Sequence, residues 1–191
     1  MIEIYFDGAC EPTNPKGIAT YGFVIYKNGK KIKQDKGLAC EPFSGKSSNN
    51  VAEYTGLIKA LEFVKNKKLA NKVIVKGDSQ LAIRQMQGIY SVRATRIIPL
   101  YDKAKKLTKG LNVKFEWIPR EKNEDADYLS HKAYEEYIDK HPEARKIVER
   151  YCATERQKEF MSKLKIKYDR YISKREASRL INRKITQKRV W

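Results

Sequence analysis

Along residues 2–10 apolar and polar side chains alternate, with Ile2, Ile4 and Phe6 on one face, which is the period of a β-strand. A loop rich in Pro, Gly and Asn follows at 11–17. Residues 18–27 form a second apolar stretch that ends at Asn28-Gly29, a strong hairpin signal, so a strand over about 30–39 is predicted to pair back antiparallel. After a loop through Pro42 and Gly45 the period changes. Val51, Tyr54, Leu57, Ile58, Leu61 and Val64 follow helical spacing and predict a helix over 51–66.

Val73-Ile74-Val75 reads as a short buried strand and Ser79–Gln87 as a helix. A loop bearing Gly88, Arg93 and Arg96 leads to a helix over about 98–109, with Pro99 tolerable in its first turn. Residues 112–117 alternate as a strand, and a helix is expected over 124–139. The order βββ-α-β-α-α-β-α implies an α/β fold, a five-stranded mixed sheet flanked by helices.

Beyond His141-Pro142 the pattern is helical again. Pro142 suits a first helical position, and Thr154-x-x-Gln157 and Ser173-x-x-Glu176 both match a capping box. Phe160, Met161 and Leu164 form one expected apolar stripe, and Ala177, Leu180, Ile181 and Ile185 another. Two domains are expected: 1–142, and a small C-terminal helical extension at 143–191 with too few apolar residues for a strong core of its own.

Charge sharpens that division. The 191 residues hold 41 Lys and Arg against 23 Asp and Glu, a net charge of +18. Residues 141–191 alone hold 16 basic and 6 acidic residues. Such an excess favours polyanionic partners, although a solvated lysine-rich surface would give the same count. Cys10, Cys40 and Cys152 are scattered with no Cys-x-x-Cys pair, which argues against a zinc ribbon. No apolar run is long enough to span a bilayer, and MIEIYFDGAC reads as a strand rather than a signal peptide, so a cytoplasmic protein with no membrane partner is expected.

Four acids stand out. Asp7 closes an apolar strand, where a carboxylate is costly unless it is paired or bound to metal. Glu53 lies in the first turn of a helix, Asp78 where a strand yields to a helix, and Asp127 near the start of the 124–139 helix. Gathered on one sheet edge, such acids form a hard oxygen site suited to Mg²⁺ or Mn²⁺. Local structure offers another reading for three of them. Asn50-x-x-Glu53 fits a capping box, Asp78 fits an N-cap, and Asp125 and Asp127 complement a helix dipole.

FDGAC at 6–10, NNVAEYTGLIKAL at 49–61, GDSQL at 77–81 and NEDADYLS at 123–130 resemble, in order and separation, the four catalytic segments of ribonuclease HI. WIPREKNEDADYLS and SVRATRIIPLY are most similar to archaeal and some bacterial members, which lack a separate basic protrusion. The resemblance covers about residues 1–140. It implies a ribonuclease H-like fold and an endonuclease that cuts the RNA strand of RNA–DNA hybrids with two Mg²⁺ ions, Mn²⁺ being a substitute, leaving 5′-phosphate and 3′-hydroxyl ends.

Carried across, Asp7, Glu53, Asp78 and Asp127 would be the catalytic and metal-binding acids, with Asp125 the alternative to Asp127. Cys10, Asn14, Asn49 and Gln80 would meet RNA 2′-hydroxyls, and Ser48, Lys46 and Arg96 the DNA-strand phosphates. The loop histidine of many bacterial relatives is missing from WIPREKNEDAD, leaving Arg120 or Glu121 to share its role. His131 is expected at the surface. Two other functions stay open: a broader nuclease that also cuts double-stranded RNA, and a non-catalytic hybrid-binding protein. The extension resembles small helical modules attached to nucleic-acid enzymes; it either adds affinity for the hybrid or packs to stabilise the nuclease domain.

Overall fold

In the computed structural model, which describes residues 1–69 and 72–189, Asn28 and Gly29 both take positive φ (51° and 79°). That is the geometry of a tight hairpin turn. It joins β2 (Ile18–Lys27) to β3 (Lys30–Leu38), and β1 (Ile2–Glu11) pairs antiparallel with the other side of β2. Helix α1 (Asn49–Asn66) then crosses the sheet and returns the chain as β4 (Lys72–Gly77), parallel to β1. Helices α2 (Gln80–Met86) and α3 (Ile98–Thr108) lead to β5 (Asn112–Trp117), parallel to β4. The sheet order is β3-β2-β1-β4-β5. A single 3₁₀ turn (Arg120–Lys122) precedes α4 (Glu124–Lys140), and α5 (Pro142–Glu149), α6 (Glu155–Lys163) and α7 (Lys174–Arg189) follow.

Contacts divide the chain into two compact units, Met1–Tyr134 and Glu135–Trp191. The division falls inside α4, upstream of the compositional change at His141-Pro142. The last turns of α4 explain this. Glu135 accepts the Arg170 backbone N–H at 2.8 Å, and Asp139 is bonded by Tyr171 Oη (2.6 Å), Arg170 (3.2 Å) and Arg145 (3.3 Å).

In the first unit Ile2, Ile4 and Phe6 are fully buried against Tyr54, Leu57 and Leu61 of α1, with Val73, Val75 and Ile83 completing the cluster. Each such side chain contributes about 1.5–3 kcal/mol. Tyr54 Oη, within this cluster, donates to Gln85 Oε1 at 2.9 Å and so is not left unsatisfied. The exposed edge strand β3 is rich in lysine (Lys30, Lys31, Lys33, Lys36), which discourages pairing with another chain.

Two glycines let helices approach β1 and β2 unusually closely. A Cβ on Gly8 would lie 2.2 Å from the backbone N of Glu53 in α1. One on Gly22, which pairs with Asp7, would lie 2.5 Å from Ala126 O and 2.6 Å from Ser130 N in α4.

In the second unit Met161 and Ala177 are fully buried with Ala153 and Ile172, and Ile166, Leu180 and Ile181 pack around them. A short antiparallel bridge, Cys152 with Ser173, ties the start of the α6–α7 segment to its middle. Thr154 and Gln157 form the expected capping box, and Ser173 Oγ accepts from Glu176 N at 3.2 Å. Phe160 departs from the expected buried stripe: it is 42% exposed, because Met161 takes the inward position one residue on. All three cysteines are free thiols, and no described helix is long and apolar enough to cross a membrane.

The glycine contacts generate a test. Gly22→Ala should destabilise the protein by about 3 kcal/mol, since only backbone and a rigid helix surround the added methyl. Gly45→Ala, with nothing near its Cβ, should stay within about 0.5 kcal/mol of wild type. Urea unfolding measures both.

Candidate active site

Strand register sets the first two acids side by side. Phe6 of β1 lies opposite Gly77 of β4 in the last pair of the parallel ladder, so Asp7, still within β1 and paired with Gly22 of β2, stands beside Asp78, the first residue past the end of β4. Gly8 allows the first turn of α1 to press onto β1, which brings Glu53 to the same end. Gly22 does the same for α4, whose first turn holds Asp127.

Asp7 and Glu53 are each only 5% exposed. Burial raises the Asp7 carboxyl from its ordinary 3.8 to about 6; Ser130 and His131 oppose the rise, while Asp78 and Asp127 add to it. Glu53 is pushed well above the usual carboxylate range by burial and by Asp7, Asp78 and Asp127, with Arg120 opposing. The four acids therefore share one electrostatic environment.

The capping alternatives resolve differently from the sequence pattern. Ser48, not Asn50, caps α1, accepting from Val51 N at 3.4 Å, and Glu53 Oε2 is buried with no hydrogen-bond partner. Ser79, not Asp78, caps α2. Both Glu53 and Asp78 are thus released from a capping role. Asp125 points elsewhere: it is bonded by Tyr26 Oη and by Lys31 Nζ at 3.0 Å, and those bonds hold its carboxyl below the ordinary value.

Asp7, Asp78 and Asp127 each have their own donor. Ser130 Oγ donates to Asp7, and Asn123 Nδ2 donates to Asp78 Oδ1 at 2.7 Å and to Phe6 O at 2.9 Å. Arg120 Nη2 lies 2.5 Å from Asp127 Oδ1. Burial works against the Arg120 charge, but Asp127, Asp7 and Asp78 outweigh it and hold the guanidinium protonated.

His131 is a correction to the sequence reading. It is half-buried one helical turn beyond Asp127, with Nε2 3.8 Å from Asp127 Oδ1 and 3.3 Å from Arg120 Nη2. The (i, i+4) spacing from Asp127 is the signal that could have placed it. Asn123 and Ser130 lie within the NEDADYLS segment but had been given no role of their own. Glu121 is exposed on the 3₁₀ turn.

The donor set is all-oxygen and suits a hard divalent cation. Among the described residues no three His, Cys, Asp or Glu side chains form a ready-made ion cage. Ser130, Asn123 and Arg120 each hold a different carboxylate. The buried, unpartnered Glu53 oxygen and the raised Asp7 and Glu53 carboxyls mark an excess of negative potential that a cation would relieve.

The expected substrate residues fall into two groups. Asn14 Oδ1 accepts Asn49 N at 3.0 Å, joining the 11–17 loop to the start of α1 beside Ser48. Cys10 belongs to that cluster, but its thiol is buried, donates to Thr13 O at 3.2 Å and lies 3.7 Å from Ser47 Oγ. Lys46 is exposed just before the helix. Gln80, at the start of α2, and Arg96, just before α3, are exposed and lie on other segments.

The family model described as "Reverse transcriptase-like" matches residues 5–133. A ribonuclease HI of Halobacterium salinarum is 31% identical over 141 residues, covering 71% of this chain and 65% of that protein. A bifunctional protein of Mycobacterium tuberculosis is 38% identical over 90 residues, and the chain spans only 24% of its length. Among solved structures, LC11-RNase H1 in complex with RNA/DNA hybrid is similar with a TM-score of 0.64 and 35% identity, covering 72% of this chain and 99% of that one. The H. salinarum RNase H1 structure has a TM-score of 0.62 and 30% identity, covering 71% and 98%.

The raised Asp7 carboxyl fixes the direction of a pH effect. The folded state binds this proton more tightly than the unfolded chain, so its contribution to stability is full below about pH 4 and is lost as pH rises towards 6. Above pH 6 without divalent cations, Asp7→Asn should unfold at higher urea than wild type, by on the order of 3 kcal/mol, and the gap should close near pH 4. A gap unchanged between pH 4 and 7.5 would refute the assignment.

Proposed function

Because the chain belongs to the reverse transcriptase-like family and contains an RNase H domain of type 1, we propose that it is an endonuclease hydrolysing the RNA strand of RNA–DNA hybrids. The observation that carries this reading is the set of acids Asp7 of β1, Glu53 of α1, Asp78 just past β4 and Asp127 of α4, which act on one another electrostatically, two of them buried and one with an unpartnered oxygen. The similar LC11-RNase H1 has been solved with an RNA/DNA hybrid, which supports the substrate class.

The four acids would hold two Mg²⁺ ions, with Mn²⁺ as a substitute. Such ions, when bound, activate water and stabilise the leaving oxygen in phosphodiester hydrolysis. The chain's own groups prepare the site. Ser130 and Asn123 fix the Asp7 and Asp78 carboxylates, and Arg120 supplies a permanent positive charge beside Asp127. The cluster of Cys10, Asn14, Ser48 and Asn49, with Lys46, Gln80 and Arg96, would hold the duplex, reading 2′-hydroxyls on the RNA strand and phosphates on the DNA strand. Cleavage would leave a 5′-phosphate and a 3′-hydroxyl. The nuclease domain is assigned to 1–142 and the basic module to 143–191.

The test uses labelled RNA–DNA hybrid, double-stranded RNA and double-stranded DNA with Mg²⁺, Mn²⁺ or EDTA. The RNA of the hybrid should be cut with either metal and spared in EDTA. Binding without cutting under every condition would leave a hybrid-binding protein instead, and equal cutting of double-stranded RNA a broader nuclease. Asp127→Asn should abolish detectable turnover. Asp125→Asn, which loses only the Tyr26 and Lys31 contacts, should keep most of it.

A further inference from the structure

The second unit has a surface built from none of the residues assigned to hybrid cleavage. Arg156, Phe160 and Lys163 lie at i, i+4 and i+7 of α6 and therefore share one face of the helix. They open onto a groove of about 440 Å³ that Gln157 of α6 and Ile181 of α7 also line, with Glu159 its one carboxylate. That volume lies within the roughly 300–1,000 Å³ range of pockets that hold small organic ligands. The groove is rigidly built. Gln157 Nε2 donates to Lys174 O (3.1 Å) and Ser178 Oγ (3.0 Å), which fixes α6 against α7, and Met161 and Ala177 are fully buried beneath.

Phe160 is 42% exposed between two exposed cations. Three acids elsewhere in the unit are engaged within it: Glu155 by Lys158 at 2.8 Å, Glu176 by Arg179 at 2.7 Å, and Asp139 by Arg145 and Arg170. The surplus of positive charge in this part of the chain is thus left to face an external anion.

We propose that this groove binds single-stranded nucleic acid, with an unpaired base stacked on the Phe160 ring and the flanking phosphates held by Arg156 and Lys163. Charge complementarity selects a polyanion. The exposed ring then selects among polyanions, because the faces of bases in an intact duplex are already stacked, whereas a single strand offers them. A protein partner fits less well, since interface cores are depleted of charged residues and this ring stands between two. The proposal does not depend on the catalytic reading.

The full-length chain carrying Asp7→Asn, in EDTA so that cleavage plays no part, is titrated into fluorescein-labelled oligo-deoxythymidine and into blunt RNA–DNA hybrid, with anisotropy as the readout. Phe160→Ala should weaken oligomer binding about tenfold, the loss of one base–aromatic stack, and change hybrid binding less than twofold. Phe160→Leu keeps an apolar side chain but no flat ring and should lose as much; Phe160→Trp should bind at least as tightly as wild type. Arg156→Gln with Lys163→Gln should reduce the salt slope for the oligomer by about 1.4, the value for two phosphate contacts on a single strand. Absence of oligomer binding, or wild-type binding by Phe160→Leu, overturns the proposal. So does a dimer that Phe160→Ala dissociates, since a second copy would then be the occupant.

Discussion

The constraint on which the site depends is the burial of the Asp7 carboxylate within the central strand, where the parallel ladder to β4 ends. An acid in that position is stable only if backbone and donors close around it. Gly8 admits α1 on one face of the sheet, and Gly22, paired with Asp7 on the neighbouring strand, admits α4 on the other. Through the first approach Glu53 arrives. Through the second come Asp127, Ser130 and His131. The close packing that shields Asp7 is therefore the same packing that assembles the other acids around it, and shielding and repulsion both raise its carboxyl.

Much of this fold can be read from local pattern. The strands and helices follow because their periods are strong, the Asn28-Gly29 hairpin because only certain residues accept positive φ at both turn positions. The convergence of the acids is a different kind of fact. Asp7 and Asp78 meet because β1 and β4 are parallel neighbours in a particular register, which no window of sequence contains. Competing local signals also mislead. Asn50-x-x-Glu53 satisfies the capping pattern, yet Ser48 begins the helix two residues earlier, and that shift frees Glu53. Composition and packing also mark different places along the chain: composition changes at His141-Pro142, while Glu135 and Asp139 are already committed to bonds with Arg170 and Tyr171.

Charge is sorted along the chain in a way that net charge conceals. The first unit concentrates carboxylates at one sheet end, where they repel one another, while the basic excess rises towards the C-terminus. A polyanionic substrate would be repelled by bare carboxylates, so cations must stand between acid and phosphate for the site to work. Nearby Arg120 meets part of that need from within the chain, and bound metal would meet the rest. Long-range attraction from the basic surface raises the encounter rate without requiring any contact at the site.

Arg120 and His131 both border the Asp127 carboxylate, and they differ in chemistry. A guanidinium stays charged at every physiological pH, so Arg120 can screen Asp127 and its neighbours but cannot pass a proton near neutrality. Imidazole is the side chain whose unperturbed pKa lies in that range. His131 is placed to feel the same carboxylates, since it opposes the rise at Asp7 and stands beside both Asp127 and Arg120. It is mounted on α4 rather than on a loop, so its position is tied to the Gly22 approach that buries Asp7. A permanent charge and a titratable ring thus stand beside the same carboxylate, one carried by the 3₁₀ turn and one by the helix.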